Sequence, residues 1–306
     1  MAKIFIDGSA GTTGLRINER LESRSDIEII KLPEELRKDN DARAEALNSA
    51  DIAFLCLPDA AAVEAVSLVT NPNTVIIDTS TAHRTDDTFV YGFPELLDQK
   101  AKIINSNRIA NPGCHASGFI ALVAPLVSVG IIKPDANLSA FSITGYSGGG
   151  KKMIAEYEDE TRDNLLDAPR QYGILQSHKH LPEMVKMCGL KNSPVFCPIV
   201  ADYYAGMEVT VPLFGGDIDA IKSVYKDYYS KGLVHFIDSA DEAGFLSANA
   251  YEGYDDMQIT VTGNDERILL ISRFDNLGKG ASGSAIQNMN IKLGLPETTG
   301  LNIMEA

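Results

Sequence analysis

The sequence predicts an α/β protein with a Rossmann-like, doubly wound dinucleotide-binding domain and a second, α+β domain on a mostly antiparallel sheet. A C-terminal helix returns to the first domain. Three observations carry this prediction. β-Branched runs alternate with helical patterns through the first third, a glycine-rich turn stands directly behind the first strand, and beyond about residue 113 the strands lengthen and alternate. In order, Lys3 to Asp7 reads as a strand, a helix starts at Thr13, strands follow at Ile27 to Leu32 and Asp51 to Leu57, then a helix at Ala60 to Val69 and a strand at Thr74 to Thr79. The runs 52–57 and 75–77 are apolar on both faces, as expected of parallel strands covered by helices on both sides. Past the Pro112-Gly113 turn, Ala116 to Val129 reads as a helix. Strands follow at Leu138 to Thr144, Met207 to Leu213, Gln258 to Thr262 and Arg267 to Phe274. The final helix runs from Ala281 to Leu293 and stops at Gly294 ahead of Pro296. Residues 1–113 and 282–306 are assigned to the dinucleotide-binding domain. Residues 114–281 are assigned to a catalytic, substrate-binding and oligomerisation domain.

Composition narrows the function. The 306 residues carry 42 acidic against 27 basic side chains, a formal charge of -15, which argues against nucleic acid and anionic membrane as partners. No apolar run reaches the roughly 18 residues of a membrane span, and the N-terminus passes straight into a strand pattern, so a cytoplasmic location is expected. Cys56, Cys114, Cys188 and Cys197 are too few and too widely spaced for a disulfide scaffold or a zinc module.

Gly8-Ser9-Ala10-Gly11-Thr12-Thr13-Gly14 places free backbone N–H groups and a positive helix end where a pyrophosphate binds, so Gly8, Ser9, Gly11, Thr12, Thr13 and Gly14 are cofactor candidates. The spacing is GxxGxxG rather than GxGxxG, and a plain strand-to-helix turn is the alternative. The second strand ends near Lys31-Leu32-Pro33 without the acidic residue that accepts a ribose 2′-hydroxyl. Arg16, Arg37 and Lys38 lie close in sequence, which favours NADP(H) over NAD.

Asn111-Pro112-Gly113-Cys114 puts Cys114 at a helix start, where the dipole lowers a thiol pKa and makes it a usable nucleophile. Cys56, Cys188 and Cys197 read as small packed hydrophobes. A proton shuttle for the thiol is sought in Ser177-His178-Lys179-His180-Leu181-Pro182-Glu183, where an extended segment would turn His178 and His180 to one side. No third ligand is spaced to complete a metal site. His83, His115 and His235 read as hydrogen-bonded histidines, with His115 close enough to tune the cysteine.

Basic residues point to an anionic substrate. Arg84 follows a parallel strand at the carboxyl edge of the sheet, Arg108 precedes the cysteine turn, and Lys151 follows the turn Gly145 to Gly150. Gly148 and Gly149 in that turn are counted as cofactor-binding because glycine lets backbone approach a ligand closely.

Taken together, the glycine loop, the Asn-Pro-Gly-Cys turn, the His178-Lys179-His180 segment with Pro182-Glu183, and the terminal string from Lys279-Gly280-Ala281-Ser282-Gly283 through Gln287-Asn288-Met289-Asn290 to Leu293-Gly294-Leu295-Pro296-Glu297-Thr298-Thr299-Gly300-Leu301 resemble N-acetyl-gamma-glutamyl-phosphate reductase of the semialdehyde dehydrogenase superfamily, in its shorter subtype. The resemblance implies NADPH-dependent reduction of N-acetyl-L-glutamyl 5-phosphate to N-acetyl-L-glutamate 5-semialdehyde with release of phosphate, in arginine synthesis, through a thioester on Cys114. It implies His180 as acid/base, His178 in contact with substrate, Asn288 at the cofactor, and a homo-oligomer, dimer or tetramer. His115 stands where an aromatic residue often follows the cysteine, and His83-Arg84 stands where Phe-Arg is usual. Two rivals are the same chemistry on aspartyl phosphate and a non-catalytic NADP-binding redox regulator.

Overall fold

A computed structural model describes residues 1–304 and divides them into two compact units. The first comprises Met1–Pro112 and Ala281–Leu301, the second Gly113–Gly280 and the chain from Asn302. In the first unit the chain forms β1 (Ala2–Asp7), α1 (Thr12–Glu22), β2 (Ile27–Ile30), α2 (Asn40–Ser49), β3 (Ile52–Leu55), α3 (Asp59–Leu68), β4 (Val75–Asp78), β5 (Val90–Tyr91), α4 (Gln99–Asn105) and β6 (Arg108–Ala110). The strands make one parallel sheet in the order β2-β1-β3-β4-β6-β5. The order reverses between β1 and β3, so the crevice at the carboxyl ends of those two strands is where such a sheet takes a ligand. Both faces are buried. Ile4, Phe54, Ile77 and Ile109 pack with Ile17 and Leu21 of α1 and with Ile286 and Met289 of the returning chain. Phe5, Ala53, Leu55 and Ile76 pack on the opposite face with Leu47 of α2 and Ala65 of α3.

The second unit forms α5 (Cys114–Ser128), β7 (Ser139–Gly145), α6 (Gly150–Glu158), β8 (Arg170–Gln171), α7 (Leu181–Cys188), β9 (Val195–Ala201), β10 (Met207–Phe214), α8 (Ile218–Tyr228), β11 (Val234–Phe236), β12 (Met257–Asn264) and β13 (Arg267–Phe274). The sheet order is β11-β12-β13-β10-β7-β9-β8. It is mixed, since β7 with β9 and β11 with β12 run parallel where an antiparallel sheet dominates the rest. The chain then makes a π-helical turn at Gly278–Ser282 and enters α9 (Gly283–Lys292), two residues after the start that periodicity gave. The strands shift by one or two residues at their ends. Missed in sequence are the polar α2, the helices α4, α6, α7 and α8, the strand β9, and the short β5, β6, β8 and β11, of which the short strands carry too little periodicity to read. From Asn302 the chain leaves the unit it was assigned to: Asn302 N–H donates to Asp255 Oδ2 at 2.9 Å and Met304 N–H to Asp256 Oδ1 at 3.2 Å.

Helix α5 carries the cysteine and is the buried axis of the second unit. Pro125 lacks the N–H that would bond the Ala121 carbonyl, and the Tyr229 hydroxyl donates to that oxygen instead at 2.7 Å, while Tyr225 donates to the Leu122 carbonyl. Gly118 lets the helix lie directly on the sheet. A Cβ there would stand 2.5 Å from Val209 Cγ2, 2.8 Å from Ser272 Oγ and 2.9 Å from the Phe274 ring. Alanine gains about 1 kcal/mol of helix propensity over glycine, whereas overpacking a core costs about 1–3 kcal/mol. With three contacts under 3.0 Å the cost falls in the upper part of that range, so Gly118→Ala is expected to destabilise the protein by about 1–2 kcal/mol net, read as a lower denaturation midpoint in urea; an unchanged or higher midpoint contradicts this packing.

Candidate active site

Cys114 is the first residue of α5, and Gly113 before it is extended (φ −81°, ψ 144°) with no side chain capping the helix. The helix dipole favours a negative charge at this position. Glu183, in the first turn of α7, is buried and accepts from the Gly113 N–H at 3.1 Å, which fixes the turn that presents the cysteine. A Cβ on Gly280 would lie 2.9 Å from Cys114 Cβ, so only glycine lets the segment before α9 pack here. The other thiols are in different settings. Burial pushes Cys56 up to about 12 and raises Cys188 as well, and Cys197 is half-buried on β9. Cys114 alone among the four stands at a helix start.

Three imidazoles cluster at His115, the residue that follows Cys114. His115 lies 5.6 Å from both His178 and His180 between ring centroids, and those two are 4.8 Å apart. The segment is a turn rather than the expected extended stretch: His180 N–H donates to His178 Nδ1 at 3.2 Å, and His180 is the N-cap of α7. The rings converge because the turn folds them together, not because a strand alternates them. His180 Nε2 stands 3.9 Å from Glu183 Oε1, one helical turn on. Burial, with the charge of Lys179, lowers His178 to about 4. Burial, then His178 and Lys179, lowers His115 to about 3. Among the described residues no group of three or more His, Cys, Asp or Glu side chains is placed to hold a metal ion.

The first unit holds the cofactor candidates. Gly8 has φ +87°, and a Cβ on it would meet the Cys56 carbonyl oxygen at 2.3 Å; one on Gly14 would meet the Gly8 carbonyl at 2.5 Å. These two glycines make the tight turn and the close helix contact. Gly11 is the exposed N-cap of α1, has no side-chain cap, and with Ser9, Thr12 and Thr13 leaves an open helix end for a pyrophosphate. Asn288 of α9 is wholly buried and donates to the Gly92 carbonyl at 2.9 Å, while its Oδ1 has no hydrogen-bond partner among the described residues. A buried orphan acceptor suits a ligand amide donor, so the residues present fit a dinucleotide.

The two arginine candidates stand at opposite edges of the parallel sheet. Arg108 opens β6 opposite Ile76, at the amino edge of the parallel sheet, and donates to the Thr74 and Asn107 carbonyls; it stands at the edge away from the ligand crevice. Arg84 is buried with Nε on the Asn111 carbonyl and Nη2 on the Thr79 carbonyl, so it ties loop to strand. His83 beside it bonds Asp78 at 2.6 Å and stacks on Phe89 at 4.2 Å, filling the place of an aromatic residue. In the second unit Gly148 and Gly149 are exposed in the turn ahead of α6, and Lys151 is exposed in its first turn. Sequence reasoning missed Ser142 and Tyr172, which bond the two nitrogens of His115, and the structural use of Glu183. Glu183 had a signal in its i+3 spacing from His180; Ser142 and Tyr172 had none.

Comparison with known proteins agrees with this arrangement. Residues 3–104 match the family model described as the semialdehyde dehydrogenase NAD binding domain, and residues 114–276 match its dimerisation domain. The chain is 45% identical to N-acetyl-gamma-glutamyl-phosphate reductase 2 of Nostoc sp. (strain PCC 7120 / SAG 25.82 / UTEX 2576), over 98% of this chain and 99% of that one. It is 43% identical to N-acetyl-gamma-glutamyl-phosphate reductase of Mesorhizobium japonicum, over 96% and 99%. The fold is shared with aspartate semialdehyde dehydrogenase II of Vibrio cholerae at TM-score 0.71 and 16% identity, covering 96% and 98% of the two chains.

The histidine environment predicts a pH response. His115 and His178 titrate below the unfolded value of about 6.5, so between those values the unfolded chain binds more protons and stability falls as pH drops from about 7 towards 4. In the folded protein the imidazole NMR signals of both are expected to stay constant from about pH 8 to pH 5; titration near 6.5 contradicts their burial as neutral groups.

Proposed function

The chain belongs to the semialdehyde dehydrogenase family, among its N-acetyl-gamma-glutamyl-phosphate reductases, and on that premise we propose that it reduces N-acetyl-L-glutamyl 5-phosphate to N-acetyl-L-glutamate 5-semialdehyde and phosphate in arginine biosynthesis. The observation that carries the mechanism is Cys114 at the first position of α5, with His178 and His180 clustered around the adjacent His115. The Cys114 thiolate attacks the acyl carbon, the backbone N–H groups opening α5 hold the oxyanion, the bond to phosphate breaks, and a thioester remains. NADPH supplies the hydride that takes the thioester carbon to the aldehyde level. His180 gives a proton to the resulting oxygen and takes it back as the carbon–sulfur bond breaks, which frees the aldehyde and returns the thiolate.

Gly8, Ser9, Gly11, Thr12, Thr13, Gly14 and Asn288 would hold the cofactor, and Arg16, Arg37 and Lys38, with no acid at the end of β2, favour the 2′-phosphate of NADP(H). His178 and Lys151 are the groups offered to the substrate. A homo-oligomer is supported by the dimerisation-domain match. Among the described residues no helix is long and apolar enough to cross a membrane, and the cytoplasm is the compartment proposed for this biosynthetic step.

The test follows NADPH formation in the reverse direction from N-acetyl-L-glutamate 5-semialdehyde, NADP and phosphate, with L-aspartate 4-semialdehyde in parallel. Phosphate-dependent formation with the acetylated substrate is expected. Activity on aspartate semialdehyde alone transfers the chain to the neighbouring activity. Cys114→Ser is expected to lower kcat by about a thousandfold or more and to leave NADP binding intact. His180→Gln is expected to lower it about 100- to 10,000-fold. Near-normal turnover in the serine variant removes the covalent route.

A further inference from the structure

One corner of the second unit holds two buried hydrogen-bond donors that the mechanism leaves unused. Arg170, on β8, stands with its guanidinium carbon 5.5 Å from the centre of the Tyr157 ring. Its Nε is shut off from solvent and has no hydrogen-bond partner among the described residues, and the same holds for the Tyr157 hydroxyl. No described carboxylate pairs with Arg170 either. Arg162, on the same stretch of chain, shows the contrast: it holds Asp167 at 2.7 Å and Asp202 at 2.6 Å. A buried N–H or O–H left unmatched is costlier than a spare lone pair, and two of them in one contact, one carried by a cation, are satisfied by an acceptor with negative charge. A carboxylate fits, since guanidinium meets it with a planar fork of donors and the phenol adds a further one.

Strand register fixes where this corner faces. Arg170 pairs with Val200 across the antiparallel β8–β9 ladder, and two residues on the Tyr172 N–H donates to the Pro198 carbonyl at 3.0 Å. Side chains two apart on a strand share a face. The packing agrees, because Val200, Tyr157 and Leu166 form one buried cluster against which Tyr172 rests. The Tyr172 hydroxyl bonds His115 Nε2 at 2.6 Å, and the Tyr172 ring lies 5.9 Å from His178. Arg170 is therefore one strand step, about 7 Å along β8, from the tyrosine that touches the imidazole cluster.

We propose that Arg170 and Tyr157 form the subsite for the α-carboxylate of the substrate, on the far side of Tyr172 from the histidines. The proposal rests on the reductase reading and names the groups that recognise the end of the substrate remote from the reaction. In N-acetyl-L-glutamyl 5-phosphate the carboxylate carbon is four carbon–carbon bonds, about 5 Å, from the carbon that reacts, whereas the phosphate is joined to that carbon through a single oxygen. A cation one strand step beyond the imidazole-bonded tyrosine matches the remote carboxylate rather than the phosphate.

The test compares two aldehydes in the reverse, phosphate-dependent reaction: N-acetyl-L-glutamate 5-semialdehyde, and 4-acetamidobutanal, the same molecule with hydrogen in place of the carboxylate. In the unaltered protein kcat/KM for the carboxylated aldehyde is expected to exceed that for its analogue by about 100-fold or more; equal values overturn the subsite. Arg170→Met is expected to lower kcat/KM for the carboxylated aldehyde about 100-fold, chiefly through KM, and to leave 4-acetamidobutanal and the KM for phosphate unchanged. Tyr157→Phe is expected to lower the same preference about tenfold. Arg170→Lys, which keeps the charge and loses the fork, is expected to fall between Arg170→Met and the unaltered protein. Equal losses on both aldehydes in Arg170→Met are the mark of a structural role, and they overturn the proposal while leaving the reductase reading standing; a rise confined to the KM for phosphate does the same. If Arg170→Met does not fold, judged by circular dichroism, an unchanged preference in both Arg170→Lys and Tyr157→Phe overturns it. Failure of the unaltered protein to turn over the acetylated aldehyde removes the reductase reading and this subsite with it.

Discussion

The site depends on one buried carboxylate. Glu183 lies almost without solvent in the first turn of α7, and a carboxylate in that position must be matched by donors or it destabilises the fold. It accepts from the N–H of Gly113, the residue before the nucleophile, and its other oxygen faces His180. One side chain thus sets the turn that ends in Cys114 and the approach of the imidazole that serves it. The spacing between nucleophile and proton carrier is built from a backbone hydrogen bond and one helical turn, both stiff elements. Precision at the reacting atoms comes from this rigidity rather than from loops.

The glycine loop applies the same economy in the first unit. Gly8 and Gly14 are used for contact, at the Cys56 carbonyl and the Gly8 carbonyl, whereas Gly11 is left open at the helix end. That division explains why the spacing is GxxGxxG: the two outer glycines close the turn, and the middle one keeps the donors of α1 clear. The parallel sheet adds its own constraint. Ligands collect where β1 and β3 diverge, which is why Gly8 is placed for function and Arg108, at the far end of β6, is not.

Much of this was legible in the residues. Long periodic segments and glycine turns gave the two-unit α/β organisation, and the Pro-Gly turn before an apolar helix singled out Cys114 because a helix start is a local signal. Short strands such as β5 and β8 carry two residues each and leave no periodicity to read. Arg84 and Arg108 read alike in sequence because charge is visible there and its partners are not; only the fold shows which carbonyls each one bonds and that they stand at opposite edges of the sheet. Ser142 and Tyr172 were invisible for the converse reason. They reach His115 across 27 and 57 residues, a distance only the fold closes.

The route of the chain through the units has a bearing on synthesis. The first unit begins at Met1, yet Ala285, Ile286 and Met289 of α9 belong to its core beside Ile4 and Ile77. During translation the parallel sheet emerges first, and the face that α1 and α4 cover in part must wait for residues 113–280 before α9 completes it, an interval on the order of ten seconds at ordinary ribosome speeds. Throughout that interval the strip of that face reserved for α9 is open to water, to other nascent chains and to holdase chaperones. The same threading means that no contiguous amino-terminal fragment contains a finished nucleotide-binding unit, so expression yield and aggregation during biogenesis are governed by the last thirty or so residues as much as by the first hundred.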